Sequence, residues 1–210
     1  MDVIQSITRV RSRVCYELDT GEKFWLSKAG ASALPVQEGE EVDPAEFRKA
    51  VLHIQYPAAL NAAVAMLARR ACSQGEIEAK LKQSLYSPDT IEMVLYKLQK
   101  EKLTNDQEFS EQWVHYRSGK NLGPHRIYQE LRAKGISEED AREAMESLDE
   151  KDQLDQAAAL ARKVFQRARP GEDARKTMQR ALSALVRRGY SWDFARDACQ
   201  HALEEMEEEE

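Results

Sequence analysis

Three stretches of the chain repeat one order of apolar and polar positions. They read Leu81-Lys82-Gln83-Ser84-Leu85-Tyr86-Ser87, Leu131-Arg132-Ala133-Lys134-Gly135-Ile136-Ser137 and Leu185-Val186-Arg187-Arg188-Gly189-Tyr190-Ser191, with their final serines 50 and 54 residues apart. Beyond each serine, positions +4, +7, +8 and +11 are apolar: Ile91, Val94, Leu95 and Leu98, then Ala141, Ala144, Met145 and Leu148, then Ala195, Ala198, Cys199 and Ala202. That spacing predicts a helix with one buried face. Before each serine, positions −6 and −10 are also apolar: Leu81 and Ile77, Leu131 and Ile127, Leu185 and Ala181. A second amphipathic helix therefore precedes each turn.

The turn has its own chemistry. Gly135 and Gly189 can close a helix in the left-handed conformation without a Cβ clash. The apolar Tyr86, Ile136 or Tyr190 is placed to staple the next helix, and the serine to cap it. Pro88 in a first helical position and Asp140 three residues after Ser137 strengthen the reading. A further helix is expected upstream in each copy, at about 58–71, at 106–117 with Phe109, Trp113 and Tyr116, and at 152–168 with Leu160, Val164 and Phe165. The unit is thus three helices, present three times. So short a unit cannot fully bury its own apolar faces, so the copies should stack in an elongated or curved row.

Ahead of the repeats the period changes. Val10, Val14, Tyr16 and Leu18 alternate with Arg9, Arg11 and Arg13, which predicts a strand with the arginines on one face. Asp19-Thr20-Gly21-Glu22 reads as a turn, and Lys23-Phe24-Trp25-Leu26 as the returning strand. The arginine row could touch an acidic partner, or could protect a strand edge from mispairing. Residues 29–42 are mixed, and Asp43-Pro44-Ala45-Glu46 opens a helix with a cap, a proline and a first-turn acid. The fold expected is mainly α, with three tandem three-helix repeats after a small β-hairpin-containing N-terminal domain. The boundaries expected are 1–57 for that domain, then 58–102, 103–149 and 150–206 for the repeats, with an acidic tail to 210.

Composition narrows the function. Only 9 Gly and 6 Pro stand among 210 residues, too few for an all-β fold built on turns. The net charge of −6 is matched by the six tail glutamates Glu204, Glu205, Glu207, Glu208, Glu209 and Glu210, leaving a neutral body. The tail is expected to fray, since like charges repel at a helix end that prefers cations. A neutral body attracts nucleic acid only through a local basic face. Three scattered cysteines, Cys15, Cys72 and Cys199, imply no disulfide framework and fit a reducing cytoplasm. No run approaches the roughly 18 consecutive apolar residues of a membrane span.

Catalytic signatures are missing. His53, His115, His125 and His201 have no metal-ligand spacing, and no two cysteines lie close. Gly119 and Gly123 do not complete a phosphate-binding loop, and no nucleophile elbow occurs. No enzyme, cofactor or metal site is expected.

The motifs carry a resemblance. Arg69-Arg70-Ala71-Cys72-Ser73-Gln74-Gly75-Glu76-Ile77 followed by Leu81 resembles the first-repeat signature of the RecX regulatory proteins. Leu103-Thr104-Asn105-Asp106-Gln107-Glu108-Phe109, then Arg117, Gly119 and Gly123-Pro124, is similar to the second, completed by Ile127, Leu131 and Lys134-Gly135-Ile136. The similarity covers about residues 60–205, and the N-terminal part resembles an extension found in some members. Leu85 departs from the pattern where the other copies have glycine, as does Ser110 after Phe109, and the third copy matches loosely. The resemblance implies a non-enzymatic, cytoplasmic modulator of the RecA recombinase. Such a protein binds the recombinase filament on single-stranded DNA and restrains filament growth, ATP hydrolysis and strand exchange, and so regulates homologous recombination, DNA repair and the SOS response. A monomer making weak, non-specific DNA contacts is the expected form.

The candidate contacts are Arg69, Arg70, Arg117, Lys120, Arg126, Lys134, Arg162, Lys163, Arg167, Arg169, Arg175, Lys176, Arg180, Arg187 and Arg188. Many could equally be solvated, and Arg69, Arg70 and Arg117 could complement helix C-terminal dipoles. As a set they stand out, because residues 174–188 hold five basic side chains and no acid. Two other readings stay open. One is a stand-alone helix-turn-helix DNA binder, disfavoured because the third helix of each copy is acidic and phosphates would repel it. The other is a helical scaffold for an unrelated protein.

Overall fold

The computed structural model describes residues 1–169 and 172–208. The chain forms two compact units, residues 1–105 and 106–210.

The first unit opens with an antiparallel sheet of β1 (Asp2–Val10), β2 (Arg13–Leu18), β3 (Lys23–Ser27) and the short β4 (Glu41–Val42), in the order β3-β2-β1-β4. A short helix α1 (Lys28–Ser32) follows β3. The expected single strand through residues 9–18 is corrected: the chain reverses at Arg11-Ser12, so Val10 lies opposite Arg13 and Arg9 opposite Val14. Paired residues in an antiparallel ladder share a face, so Arg9 and Arg13 point to opposite sides of the ribbon. Val10 accordingly escapes the core and is 45% exposed. Each arm keeps the predicted alternation, and the turn between them at Arg11-Ser12 carries neither glycine nor asparagine to signal it.

Helix α2 (Pro44–Leu67) starts at the Asp43 cap as expected, but does not stop. It passes through Pro57 and supplies the first helix of the first repeat, so no new helix starts at residue 58 and the expected boundary there falls inside α2. Its buried face recurs every fourth residue, at Phe47, Val51, Gln55, Ala59 and Ala63. Phe47 and Val51 join the sheet core of Ile4, Val14, Tyr16, Leu18, Phe24 and Leu26, while Ala59 and Ala63 join Ile77, Leu81, Ile91, Val94 and Leu98 of the repeat. Its length and apolar composition would suffice to cross a membrane, yet this face is occupied by the two cores.

Between those cores Gln55 is 4% exposed and hydrogen-bonded at both ends of its amide. Its Nε2 donates to the Trp25 carbonyl at 2.8 Å, and its Oε1 accepts the Ser87 N–H at 2.8 Å and hydroxyl at 3.0 Å. The repeat is completed by α3 (Gln74–Gln83), which begins with a reciprocal Ser73–Glu76 capping box, and α4 (Pro88–Lys100), capped by Ser87.

The second unit holds two more repeats. α5 (Asp106–Ser118), α6 (Pro124–Ala133) and α7 (Glu138–Met145) surround Phe109, Val114, Ile127, Leu131, Ile136, Ala141 and Ala144. α8 (Glu150–Phe165), α9 (Ala174–Arg187) and α10 (Trp192–Glu208) surround an alanine-rich core: Ala157, Ala158, Ala161, Ala181, Ala195, Ala198 and Ala202 with Leu185, Tyr190 and Cys199. Small side chains let these helices approach closely. As expected, Gly135 and Gly189 are left-handed, at φ 79° and 97°, and Ser137 and Ser191 cap the helices that follow. Leu85 takes the same turn at φ 61° without glycine's freedom.

The expectation of a frayed tail is corrected as far as Glu208, because α10 continues to that residue. Glutamate is a good helix former, and His201 Nε2 lies 3.6 Å from the Glu205 carboxylate one turn on. Glu209 and Glu210 lie outside the described residues.

Candidate partner-binding surface

Part of the basic segment of the third repeat lies along one face of α9. On α9 the buried positions Thr177, Ala181 and Leu185 fix the helix against its neighbours. Lys176, Arg180 and Arg187 then fall along another face, at i, i+4 and i+11, over about 16 Å of helix. Arg180 is held by Glu172, Nη1 to Oε1 at 2.7 Å. Arg175, Lys176 and Arg187 are exposed and have no ion pair among the described residues. Arg187 also sits in the last turn of α9, where a cation complements the helix dipole.

Arg188, the next residue, does something different. Its Nη1 lies 3.2 Å from the Lys120 carbonyl and 3.4 Å from that of Asn121, in the loop between α5 and α6. The backbone continues the junction: the carbonyl of Arg188 accepts the Gly123 N–H at 2.8 Å, and that of Gly189 accepts the His125 N–H at 3.1 Å. Gly123, the N-cap of α6, offers no side chain to that helix. The carbonyl end of α9 caps α6 instead, and opposite dipole ends meet. Lys120, Arg126 and Arg188 are thereby gathered at the seam between the second and third repeats. Beside it lies an apolar cleft of about 490 Å³, walled by Pro124, Tyr128, Met145, Tyr190 and Phe194. The Tyr190 and Phe194 rings stack at 5.7 Å, and burial pushes the Tyr190 phenol up to about 12.

Other expected contacts are committed within the fold. Arg117 grips Glu130 through both Nε and Nη2, the Nε bond being 2.6 Å, and its guanidinium lies 5.4 Å from the Trp113 ring centroid. Burial alone would raise the Glu130 carboxyl, but the Arg117 hydrogen bonds and charge outweigh it and hold it below the ordinary carboxylate value. Arg126 reaches the same carboxylate at 3.6 Å. Lys134 stands 4.0 Å from the Trp113 ring centroid and Lys120 5.6 Å from that of Tyr116, favourable positions for a cation over an aromatic face. In the first unit Arg70 holds Glu76 with both terminal nitrogens, at 2.9 and 3.1 Å, and its carboxylate also serves the α3 capping box. Arg69 remains exposed. Arg162 and Lys163 sit in the last turn of α8, and Arg167 and Arg169 are exposed in the segment before α9.

Sequence spacing missed the partners that sort these cations. The Arg126–Glu130 pair is visible as i, i+4, but Arg117–Glu130 joins two helices across a loop and has no local signature. Nothing in the sequence around Gly123 signals that it touches Gly189.

Comparison with known proteins agrees with the three-repeat architecture. Residues 59–98, 105–145 and 150–199 match the first, second and third three-helix domains of RecX. The chain is 31% identical to regulatory protein RecX of Bacillus subtilis over 83% of this chain and 67% of that one. It is also 31% identical to regulatory protein RecX of Corynebacterium efficiens, over 85% and 83%. A crystal structure of regulatory protein RecX superposes with a TM-score of 0.62 at 25% identity, covering 92% of this chain and 97% of that one. RecX from Lactobacillus salivarius gives 0.64 at 26%, covering 70% and 96%. With its three tandem domains matched in order, the chain belongs to the RecX family of regulatory proteins.

Proposed function

We propose that this chain binds the RecA recombinase on its single-stranded DNA filament and restrains filament growth, ATP hydrolysis and strand exchange. It acts in the cytoplasm as a monomer, without a cofactor and without chemistry of its own. Family membership supports the regulatory role. The observation that carries the binding surface is the α9 face, where Lys176 and Arg187 stand exposed, without an ion pair among the described residues, on a helix whose other side is locked into an alanine core. Cations on a rigid support lose little freedom on meeting an acidic surface, and they steer the encounter. Arg175 and Arg69 are further exposed contacts, whereas Arg70, Arg117 and Arg188 serve the fold first.

The acidic α7 and α10 speak against a stand-alone reader of DNA sequence, although α4, with Asp89 and Glu92 against Lys97 and Lys100, is neutral. α7 begins Glu138-Glu139-Asp140, which phosphates would repel from the major groove.

The test is the ATPase of purified recombinase on single-stranded DNA, titrated with the intact protein and with Lys176→Glu/Arg187→Glu. The intact protein should inhibit at near-equimolar amounts, and the double variant should need about tenfold more. Its melting curve should not change, because neither side chain holds an ion-pair partner among the described residues. Equal inhibition by both proteins would remove α9 from the interface, and no inhibition by either would defeat the reading.

A further inference from the structure

One edge of the N-terminal sheet is only partly covered. β4 pairs with β1 at Asp2 and Val3 alone. The chain before β4 continues along the same side. There the Ile4 N–H donates to the Glu40 carbonyl at 2.9 Å, the Gly39 N–H to the Ile4 carbonyl at 2.8 Å, and the Ile7 N–H to the Glu38 carboxylate at 2.7 Å. That last bond shows the Ile7 main chain turned away from β2. Residues two apart in an antiparallel ladder turn the same way, so Arg9 also directs its N–H and carbonyl outward. Among the described residues neither group has a hydrogen-bond partner on that side.

The side chains beside this edge form a groove of one charge. Ile7 and Arg9 share a face with their partners Tyr16 and Val14, and α1 with residues 34–36 closes the other side, leaving about 570 Å³. Ile7, Val14, Tyr16 and Leu34 make its lining apolar, and Arg9 and Lys28 are its charged members. Both cations are exposed and without an ion pair among the described residues. The nearby carboxylates are engaged elsewhere: Glu17 pairs with Lys23 at 3.3 Å, and Glu38 holds the Ile7 N–H.

We propose that the β1 edge from Ile7 to Val10 takes up an extended acidic segment of a partner protein as a further strand of the sheet. Outward N–H and carbonyl groups at strand spacing are matched by another peptide backbone. A nucleic-acid backbone could neutralise Arg9 and Lys28, but it carries no such row of alternating donors and acceptors. A second copy of this chain is disfavoured by charge, because pairing two of these edges sets Arg9 close to its counterpart, and like charges across strands repel. The arginine thus guards the edge against its own kind and selects an acidic guest. An antiparallel guest places one residue opposite Arg9 and the residue two further on opposite Ile7, both facing the groove. The order required is therefore an acid, any residue, then an apolar residue. The Glu38 carboxylate occupies the Ile7 N–H as a guest carbonyl would, so it competes with the incoming strand.

The test uses the full chain without recombinase, so its outcome is independent of the filament reading. The probe is the peptide acetyl-Thr-Glu-Thr-Val-Thr-amide, titrated while the Arg9 amide is followed by nuclear magnetic resonance and hydrogen exchange. With nine-tenths of the protein occupied, exchange at the Arg9 amide should slow by about tenfold. Methylating the peptide nitrogens of its Glu and Val, which keeps the charge but removes the ladder, should abolish binding. Arg9→Glu should weaken binding by about tenfold with an unchanged melting curve, since that side chain has no ion pair to lose. Glu38→Ala should tighten it, a direction that loss of folding cannot mimic. Equal binding of the methylated peptide, or unchanged affinity in Arg9→Glu, would overturn the proposal. So would equal protection of the Arg9 amide by mixed-sequence DNA at the same charge concentration, or protection without peptide that rises with protein concentration.

Discussion

Gly123 and Gly189 touch through their backbones: a Cβ on Gly123 would stand 2.4 Å from the carbonyl carbon of Gly189, and one on Gly189 would stand 2.4 Å from the Cβ of Arg126. Neither distance is tolerable, and backbone on both sides leaves no flexible atom to yield. The contact lets the last carbonyls of α9 reach the first N–H groups of α6, so the second and third repeats share a helix end rather than only an apolar seam.

Substitution at either glycine should separate these repeats. Gly123→Ala and Gly189→Ala are each expected to cost about 2–4 kcal/mol, with Gly189 also losing its positive φ. Gly119→Ala serves as the comparison, since its Cβ would meet only backbone oxygens at 3.5 and 3.7 Å, an ordinary contact. Thermal melts of the three variants settle the point. A Gly123→Ala melt as high as that of Gly119→Ala would mean that the junction does not hold the unit together.

Gln55 should behave as a bridge. Gln55→Ala strips the buried Ser87 N–H and the Trp25 carbonyl of their partners, at about 2–4 kcal/mol. Gln55→Met restores the volume but none of the hydrogen bonds and should cost nearly as much. Denaturant titration of both variants separates packing from polar loss. Near-native stability of the methionine variant would show that filling the space is sufficient.

The Arg117–Glu130 pair should make the second unit sensitive to acid. Because the Glu130 carboxyl lies below its ordinary value, its contribution is present above the unfolded pKa of about 4.3 and is lost as pH falls through the lower folded value. Glu130→Gln is expected to cost about 1–3 kcal/mol at pH 7. The gap between the two proteins should narrow as the pH falls below the ordinary carboxylate range, as read from melting curves at each pH. A gap of constant size would assign the loss to shape rather than charge.

Leu85 invites a stabilising change. It holds φ 61° with 41% of its surface exposed, so Leu85→Gly removes strain and forfeits little packing. A gain of about 0.5–1 kcal/mol is expected, raising the melting temperature by a few degrees. A lower melting temperature would show that the leucine side chain matters more than the turn.

Much of the architecture was legible because it is written locally. A serine cap, a left-handed glycine and a stripe of alanine and leucine at helical spacing act within a dozen residues, so Ser137, Gly135, Ala141 and Ala144 declare their roles in order. The same local reading fails where two signals overlap. Alternation through Val10 and Val14 looks like one strand until the chain turns at Arg11. The boundary expected at residue 58 falls inside α2, because buried contacts on both sides carry the helix past it.

By itself, then, the sequence determined three helical repeats, their caps, the preceding hairpin and a surplus of cations near residue 180, since propensity and periodicity depend on neighbours along the chain. Tertiary structure alone decided what the cations of the second and third repeats do. Arg117 met Glu130, Arg188 met the Lys120 carbonyl, and Lys176 and Arg187 were left in solvent, because which charges are neutralised depends on distances set by packing between helices.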